Sequence, residues 1–318
     1  MRRLRGAAFS LVLLLLLAAC GGQAKTPPSP GRPIAGITPI STPTLSMILP
    51  PARYQAQIRS NIAYGPLPEE TLDLCLPVGA PDLRPGVILV HGGGWVNGDK
   101  GDFTSECSYL ASQGFVAATV NYRLAPKYIW PAQLEDVQLA VRYLRAHAAE
   151  MMLDPSRLCS WGDSSGAHLA VFLGVLAHTY PGDEAAQLSG ESSMTTCVID
   201  DFGPIDLTTY GVTNDQKSLL LLLFGNVSSQ SNPQLYQDAS PNFYVTSQTS
   251  PMLIIQGTED TTVPQTQSQT LLRALQQKGV SVQYISYVGG HGFSGLTGDQ
   301  VQVLYAEQVS FLVGYEHP

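Results

Sequence analysis

The chain of 318 residues carries 17 Lys and Arg against 25 Asp and Glu, a formal charge of −8, with 44% hydrophobic and 13% charged residues. An acidic balance of this kind argues against a nucleic-acid partner. The apolar content excludes a wholly disordered chain and supplies a sizeable core.

In chain order, Arg2, Arg3 and Arg5 precede an apolar run from Leu11 to Leu17 and small residues that end at Cys20. This is the order of a secretory signal, too short for a membrane span. Leu17-Ala18-Ala19-Cys20 also resembles the cleavage box of bacterial lipoproteins, in which the cysteine is lipidated and becomes the first mature residue. The competing reading is an ordinary signal peptide with an incidental cysteine. The expectation is a signal peptide over 1–19, whose loss takes the charge from −8 to −11, and a lipid anchor at Cys20. The protein is then exported and held to a bacterial cell membrane by that anchor alone. Residues 20–52, rich in Pro, Thr, Ser and Gly, read as a tether. No second linker interrupts 53–318, which reads as one domain.

Within that domain, short β-branched runs at 54–63, 71–76, 86–90, 115–121, 157–160, 196–201, 252–256 and 280–287 predict strands. Helical patterns fall at 104–113, 131–149, 164–178, 264–278 and 299–314. The alternation predicts an α/β fold, a mostly parallel central sheet with helices on both faces and antiparallel strands at one edge. In such sheets chemistry gathers at the carboxyl ends of the strands. A further helix at 215–224, with its run of leucines, reads either as core or as a cap over a site. Cys75, Cys107, Cys159 and Cys197 allow three disulfide pairings, and buried free thiols are an equal alternative.

"WGDSSGAHLA" places Ser164 in G-x-S-x-G between a predicted strand and a predicted helix. Such a sharp turn needs Gly162 and Gly166, and the helix N-terminus favours developing negative charge near Ser164. A serine nucleophile requires a base and an orienting acid, in the chain order Ser, Asp or Glu, His. His291, between glycines after the last strand, is the candidate base, since His317 lies at the chain end. For the acid, Asp260 is preferred over Glu259, with Asp206 as the alternative; both aspartates also fit helix-cap or turn roles. His91-Gly92-Gly93-Gly94-Trp95 follows a strand and offers backbone N–H groups to an oxyanion. A phosphate loop is excluded because Asp99 stands where lysine belongs. No H-E-x-x-H or dinucleotide glycine pattern is present, so neither metal nor cofactor is expected.

Together, HGGGW at 91–95, NYRLAP at 121–126, the 131–145 helix, the elbow at 154–170, SPMLIIQGTEDTTVP at 250–264 and GGHGF at 289–293 carry a resemblance. From about Tyr64 onward the chain resembles α/β-hydrolase esterases and lipases related to hormone-sensitive lipase and to bacterial feruloyl-esterase-like carbohydrate esterases. The resemblance implies Ser164 as nucleophile, Asp260 as acid and His291 as base. It implies an oxyanion hole from the N–H groups of Gly93, Gly94 and Ser165, with Gly92 as a substitute for one of the first two. Trp95 is expected to line the substrate pocket, and Asp163, Asp136 and His168 to be structural. Two departures stand out: Ala167 where the family usually has glycine, and Gln256 where it often has histidine. The implied activity is hydrolysis of carboxylic esters, short acyl groups such as acetyl or feruloyl on carbohydrates. Lipase, formamidase or peptidase action, or a non-catalytic carbohydrate-binding scaffold, are the alternatives.

Overall fold

The computed structural model describes residues 37–39, 49–176 and 187–316. The expected signal peptide, the lipidation candidate Cys20 and His317 lie outside these residues.

In chain order the strands are β1 Ile37–Pro39, β2 Gln55–Ala63, β3 Thr71–Val78, β4 Arg84–Val90, β5 Val116–Val120, β6 Leu153–Asp163, β7 Val198–Asp201, β8 Met252–Gly257 and β9 Val282–Tyr287. The helices are α1 Thr104–Gln113, α2 Ala132–Ala146, α3 Ala148–Met151, α4 Ser165–Val175, α5 Leu207–Tyr210, α6 Asn214–Leu223, α7 Pro233–Asp238, α8 Thr266–Gln277 and α9 Gly298–Glu316. One sheet runs β1-β9-β8-β7-β6-β4-β5-β3-β2. β2, β3 and β5 pair antiparallel, and every other neighbouring pair is parallel. The alternating pattern predicts this mostly parallel sheet, and its arrangement is that of the α/β-hydrolases, as the resemblance implies.

The continuous apolar runs reflect burial on both faces. In β4, Ile88 and Val90 join the core that also holds Leu134 of α2, Leu169 of α4 and Leu271 of α8. Val87 and Leu89 point the other way, into the core with Leu110 of α1 and Leu312 of α9. α4 is buried along its whole length, so the elbow before it is anchored at the centre of the molecule.

β6 is longer than its apolar run because β4 pairs with it from Leu153 and β7 as far as Asp163. The helix expected at 131–149 divides at His147. Part of the stretch read as a tether belongs to the fold: β1 pairs parallel with β9, and the Pro50 carbonyl accepts from Tyr109 Oη at 3.2 Å and Gln113 Nε2 at 3.1 Å. A sheet edge offers backbone groups that even a three-residue extended piece can satisfy. The cysteines form two disulfides, Cys75–Cys107 linking β3 to α1 and Cys159–Cys197 linking β6 to the residue before β7. Among the described residues no helix is long and apolar enough to cross a membrane.

Candidate active site

β6 delivers the chain to Ser164, whose φ of +51° and ψ of −120° form a strained elbow into α4. The Ser164 N–H donates to the Asp201 carbonyl at 2.8 Å, tying the elbow to the end of β7. A Cβ at Gly166 would lie 2.0 Å from the Val90 carbonyl oxygen, and one at Gly162 would lie 2.3 Å from the Gly166 backbone. Only glycine fits at either place. Ala167 finds its room in Gly203 instead, since a Cβ at 203 would stand 2.9 Å from the Ala167 methyl.

His291 Nε2 lies 3.0 Å from Ser164 Oγ, and His291 Nδ1 lies 2.8 Å from Asp260 Oδ2. A carboxylate only accepts, so Nδ1 carries the proton and Nε2 is left to accept the serine hydroxyl. The Asp260 carboxylate is fully buried, and its Oδ1 accepts from Thr262 N at 2.9 Å and Val263 N at 2.8 Å. Asp206 is occupied elsewhere, capping α5 by accepting from Thr208 N at 3.0 Å. Glu259 is exposed. The geometry therefore brings together Ser164, His291 and Asp260, and leaves Asp206 out.

Gly93 and Gly94 take positive φ of 105° and 63°. Among the described residues neither N–H is hydrogen-bonded, while the Gly92 N–H is directed at the Asp163 carboxylate. Burial pushes Asp163 up to about 6, with the Gly92 bond and the charge of His291 acting against it. Ser165 opens α4, its N–H among those a helix N-terminus leaves unpaired. His91 braces the loop from below: Nδ1 meets the Gly92 carbonyl at 2.8 Å, its ring stacks on Tyr122 at 4.3 Å, and burial lowers its pKa.

Trp95 does not present its ring to the site. It is 1% exposed, and its Nε1–H donates to His168 Nδ1 at 3.3 Å. A positive φ of 63° at Trp95 turns the indole inward. His168 in turn donates from Nε2 to the Ala239 carbonyl at 2.8 Å, and burial holds it down to about 4, neutral within the core. Asp136 accepts from Arg123 N at 2.7 Å and Nε at 2.8 Å, a buried structural pair whose carboxyl burial raises to about 6.

Two residues near the site have no signature in the chain. Phe202, at φ +48°, sets its ring edge against His291 with centroids 4.8 Å apart. Gln256, noticed only as a departure from a family pattern, is buried and donates to Asp260 Oδ2 at 3.3 Å. On the open side, one face of α6 packs into the core through Gln216, Leu220 and Leu223, and Leu219 leans over Gly94. Among the described residues no three His, Cys, Asp or Glu side chains gather into a metal-ligating group.

The BD-FAE family profile matches residues 72–275, which include Ser164 and Asp260 and stop short of His291. Esterase LipQ of Mycobacterium tuberculosis is 32% identical over 277 residues, covering 83% of this chain and 64% of the relative. Esterase LipC of the same organism is 29% identical, covering 76% and 61%. The chain therefore spans less than two thirds of the length of these relatives. Among solved structures, a truncated form of a carbohydrate esterase from gut microbiota superposes with a TM-score of 0.71 at 26% identity, over 84% of this chain and 99% of that one. The thermophilic esterase Est2 of Thermogutta terrifontis gives 0.66 at 25%, over 83% and 94%. With the profile spanning well over half of its length, the chain belongs to the BD-FAE family within the α/β-hydrolase fold.

Proposed function

We propose that the protein is a serine esterase that cleaves carboxylic esters of carbohydrates through an acyl-enzyme. The observation that carries this reading is the hydrogen-bonded chain Ser164 Oγ, His291 Nε2, His291 Nδ1, Asp260 Oδ2, with contacts of 3.0 and 2.8 Å. His291 takes the Ser164 proton as the oxygen attacks the ester carbonyl, and Asp260 stabilises the imidazolium. The N–H groups of Gly93, Gly94 and Ser165 receive the oxyanion. His291 then protonates the departing alcohol, and water, activated by the same ring, releases the acid and restores Ser164.

A carbohydrate ester carrying an acetyl or feruloyl group is supported by the family and by the likeness to a carbohydrate esterase. Export and attachment through Cys20 are supported by the charged, apolar and small-residue order of the first twenty residues. The test is hydrolysis of p-nitrophenyl acetate and butyrate by the wild type and Ser164→Ala, with fluorophosphonate labelling alongside. Turnover and labelling that both vanish in Ser164→Ala support the reading. Turnover that survives the substitution overturns it.

A further inference from the structure

β9 ends at Tyr287, and the turn that leads from it to His291 holds Gly289 and Gly290. The sheet supports the start of that turn: Thr258 N donates to the Tyr287 carbonyl and Glu259 N to the Gly289 carbonyl, each at 2.9 Å. Beyond Gly289 the turn is shaped by its own bonds, Gly290 N to the Ser294 carbonyl at 2.9 Å and Ser294 N to the His291 carbonyl at 3.2 Å. These give it a form without joining it to a strand. Glycine-rich backbone has a wide choice of conformations, so its place depends on what holds it from outside.

The Tyr287 hydroxyl ties the turn back to β9. It donates to the carbonyl of Gly290, just before His291, at 2.8 Å, and accepts from Phe293 N, just beyond Gly292, at 3.3 Å. A phenol has one proton and free lone pairs, so both bonds form together. The side chain is 4% exposed, and burial pushes its pKa up, so the proton it donates stays in place. Its ring is wedged in, since a Cβ at Gly257 or at Gly289 would stand 3.1 Å from it. Phe293 has a φ of +61°, which a bulky residue keeps only where its surroundings hold it. Its ring packs on Tyr287 at 5.6 Å and on Phe202 at 5.2 Å, and Phe202 in turn meets the His291 ring.

We propose that Tyr287 is a positioning residue for His291, its hydroxyl holding the turn on both sides of the imidazole. The proposal rests on the serine-esterase reading and gives Tyr287 no contact with substrate. One ring must reach Ser164 Oγ at 3.0 Å and Asp260 Oδ2 at 2.8 Å, so a turn that shifts loses one bond or the other. Displacing a reacting group by about 1 Å can cost about a hundredfold in rate. That cost falls on kcat, because proton transfer from Ser164, and not binding of the ester, depends on where the ring stands.

The experiment measures kcat and KM on p-nitrophenyl acetate for the wild type, Tyr287→Phe and Tyr109→Phe. Tyr109, whose hydroxyl donates to the Pro50 carbonyl, is the control for a phenol proton lost elsewhere. Fluorophosphonate labelling carried to completion counts the competent sites, and turnover is taken per labelled site. Tyr287→Phe keeps the wedged ring and loses both bonds. It should lower kcat per site about tenfold and leave KM within about twofold. The rate of labelling should slow in step, since it too needs His291 to take the Ser164 proton. Tyr109→Phe should match the wild type within about twofold in both constants. A Tyr287→Phe enzyme with the wild-type kcat per site overturns the inference. So does a loss confined to KM, which would make Tyr287 a binding residue, or one confined to the number of labelled sites, which would make it a fold residue only. Each of these leaves the esterase reading standing, whereas a wild type with no turnover of any ester and no label on Ser164 overturns both.

Discussion

Gln256 Nε2 stands 3.3 Å from Asp260 Oδ2, so a neutral side-chain amide shares the carboxylate oxygen that faces His291. The same nitrogen reaches the carbonyls of Val263 at 3.1 Å and Gly257 at 3.2 Å, and Gln256 Oε1 accepts from Ser268 Oγ. One buried side chain thus ties the end of β8, the Asp260 loop and α8 together. Replacing it by Gln256→Leu strips buried acceptors of their partner, at a cost of about 1–3 kcal/mol. Urea unfolding should show that loss. Because Asp260 is then less firmly held, kcat should fall by about tenfold with KM little changed. Unaltered stability and turnover would refute the clamp.

The two aspartates separate cleanly by substitution. Asp260→Asn keeps the shape but favours the wrong tautomer of His291, and kcat should drop by about four orders of magnitude. Asp206→Asn retains an oxygen for Thr208 N in the α5 cap, and asparagine caps nearly as well as aspartate. Its kcat should stay within about twofold of the wild type. Steady-state rates on one ester decide the matter, and the reverse order of effects would move the acid to Asp206.

Asp200 gives the fold a defined response to pH. It is fully buried, its Oδ1 accepts from Gly203 N at 2.8 Å, and its Oδ2 has no partner among the described residues. Burial raises its pKa from 3.8 to about 7. Between those values the folded chain holds a proton that the unfolded chain has released, so stability falls as pH rises towards 7 and levels off above it. Asp163 and Asp136, each raised to about 6, act in the same sense, so the informative quantity is a difference between variants. Asp200→Asn cannot ionise, and between pH 5 and 8 it should escape a loss on the order of 2 kcal/mol. Urea midpoints of both proteins at the two pH values measure this, and parallel curves would exclude Asp200 as the source.

All eight strands expected from β-branched runs are present; the central ones, such as β4, β5 and β8, are apolar throughout because both of their faces are buried, whereas the edge strand β2 is mostly exposed. Their ends are less legible. β6 gains three residues beyond Ser160 through its register with β4 and β7, and nothing local in Trp161-Gly162-Asp163 announces that pairing. β1 exists because β9 has a free edge, a property of the assembled sheet. At the site, chain order and glycine spacing point to Ser164 and His291, while the acid stays open between Asp260 and Asp206 until the family resemblance implies Asp260. Phe202 meets His291 from a distant part of the chain, and Gln256 reaches Asp260 only four residues on, through a loop whose path the sequence does not announce. Trp95, which the resemblance implies would line the pocket, has a backbone at positive φ and a ring buried in the core.

The Gly92 backbone lies against the Asp163 carboxylate, where a Cβ at Gly92 would stand 2.7 Å from Oδ2. Asp163 is covalently next to Ser164, and Gly92 is next to Gly93, so the turn that carries the proposed nucleophile and the loop that carries the proposed oxyanion donors adjoin here with no room for a side chain between them.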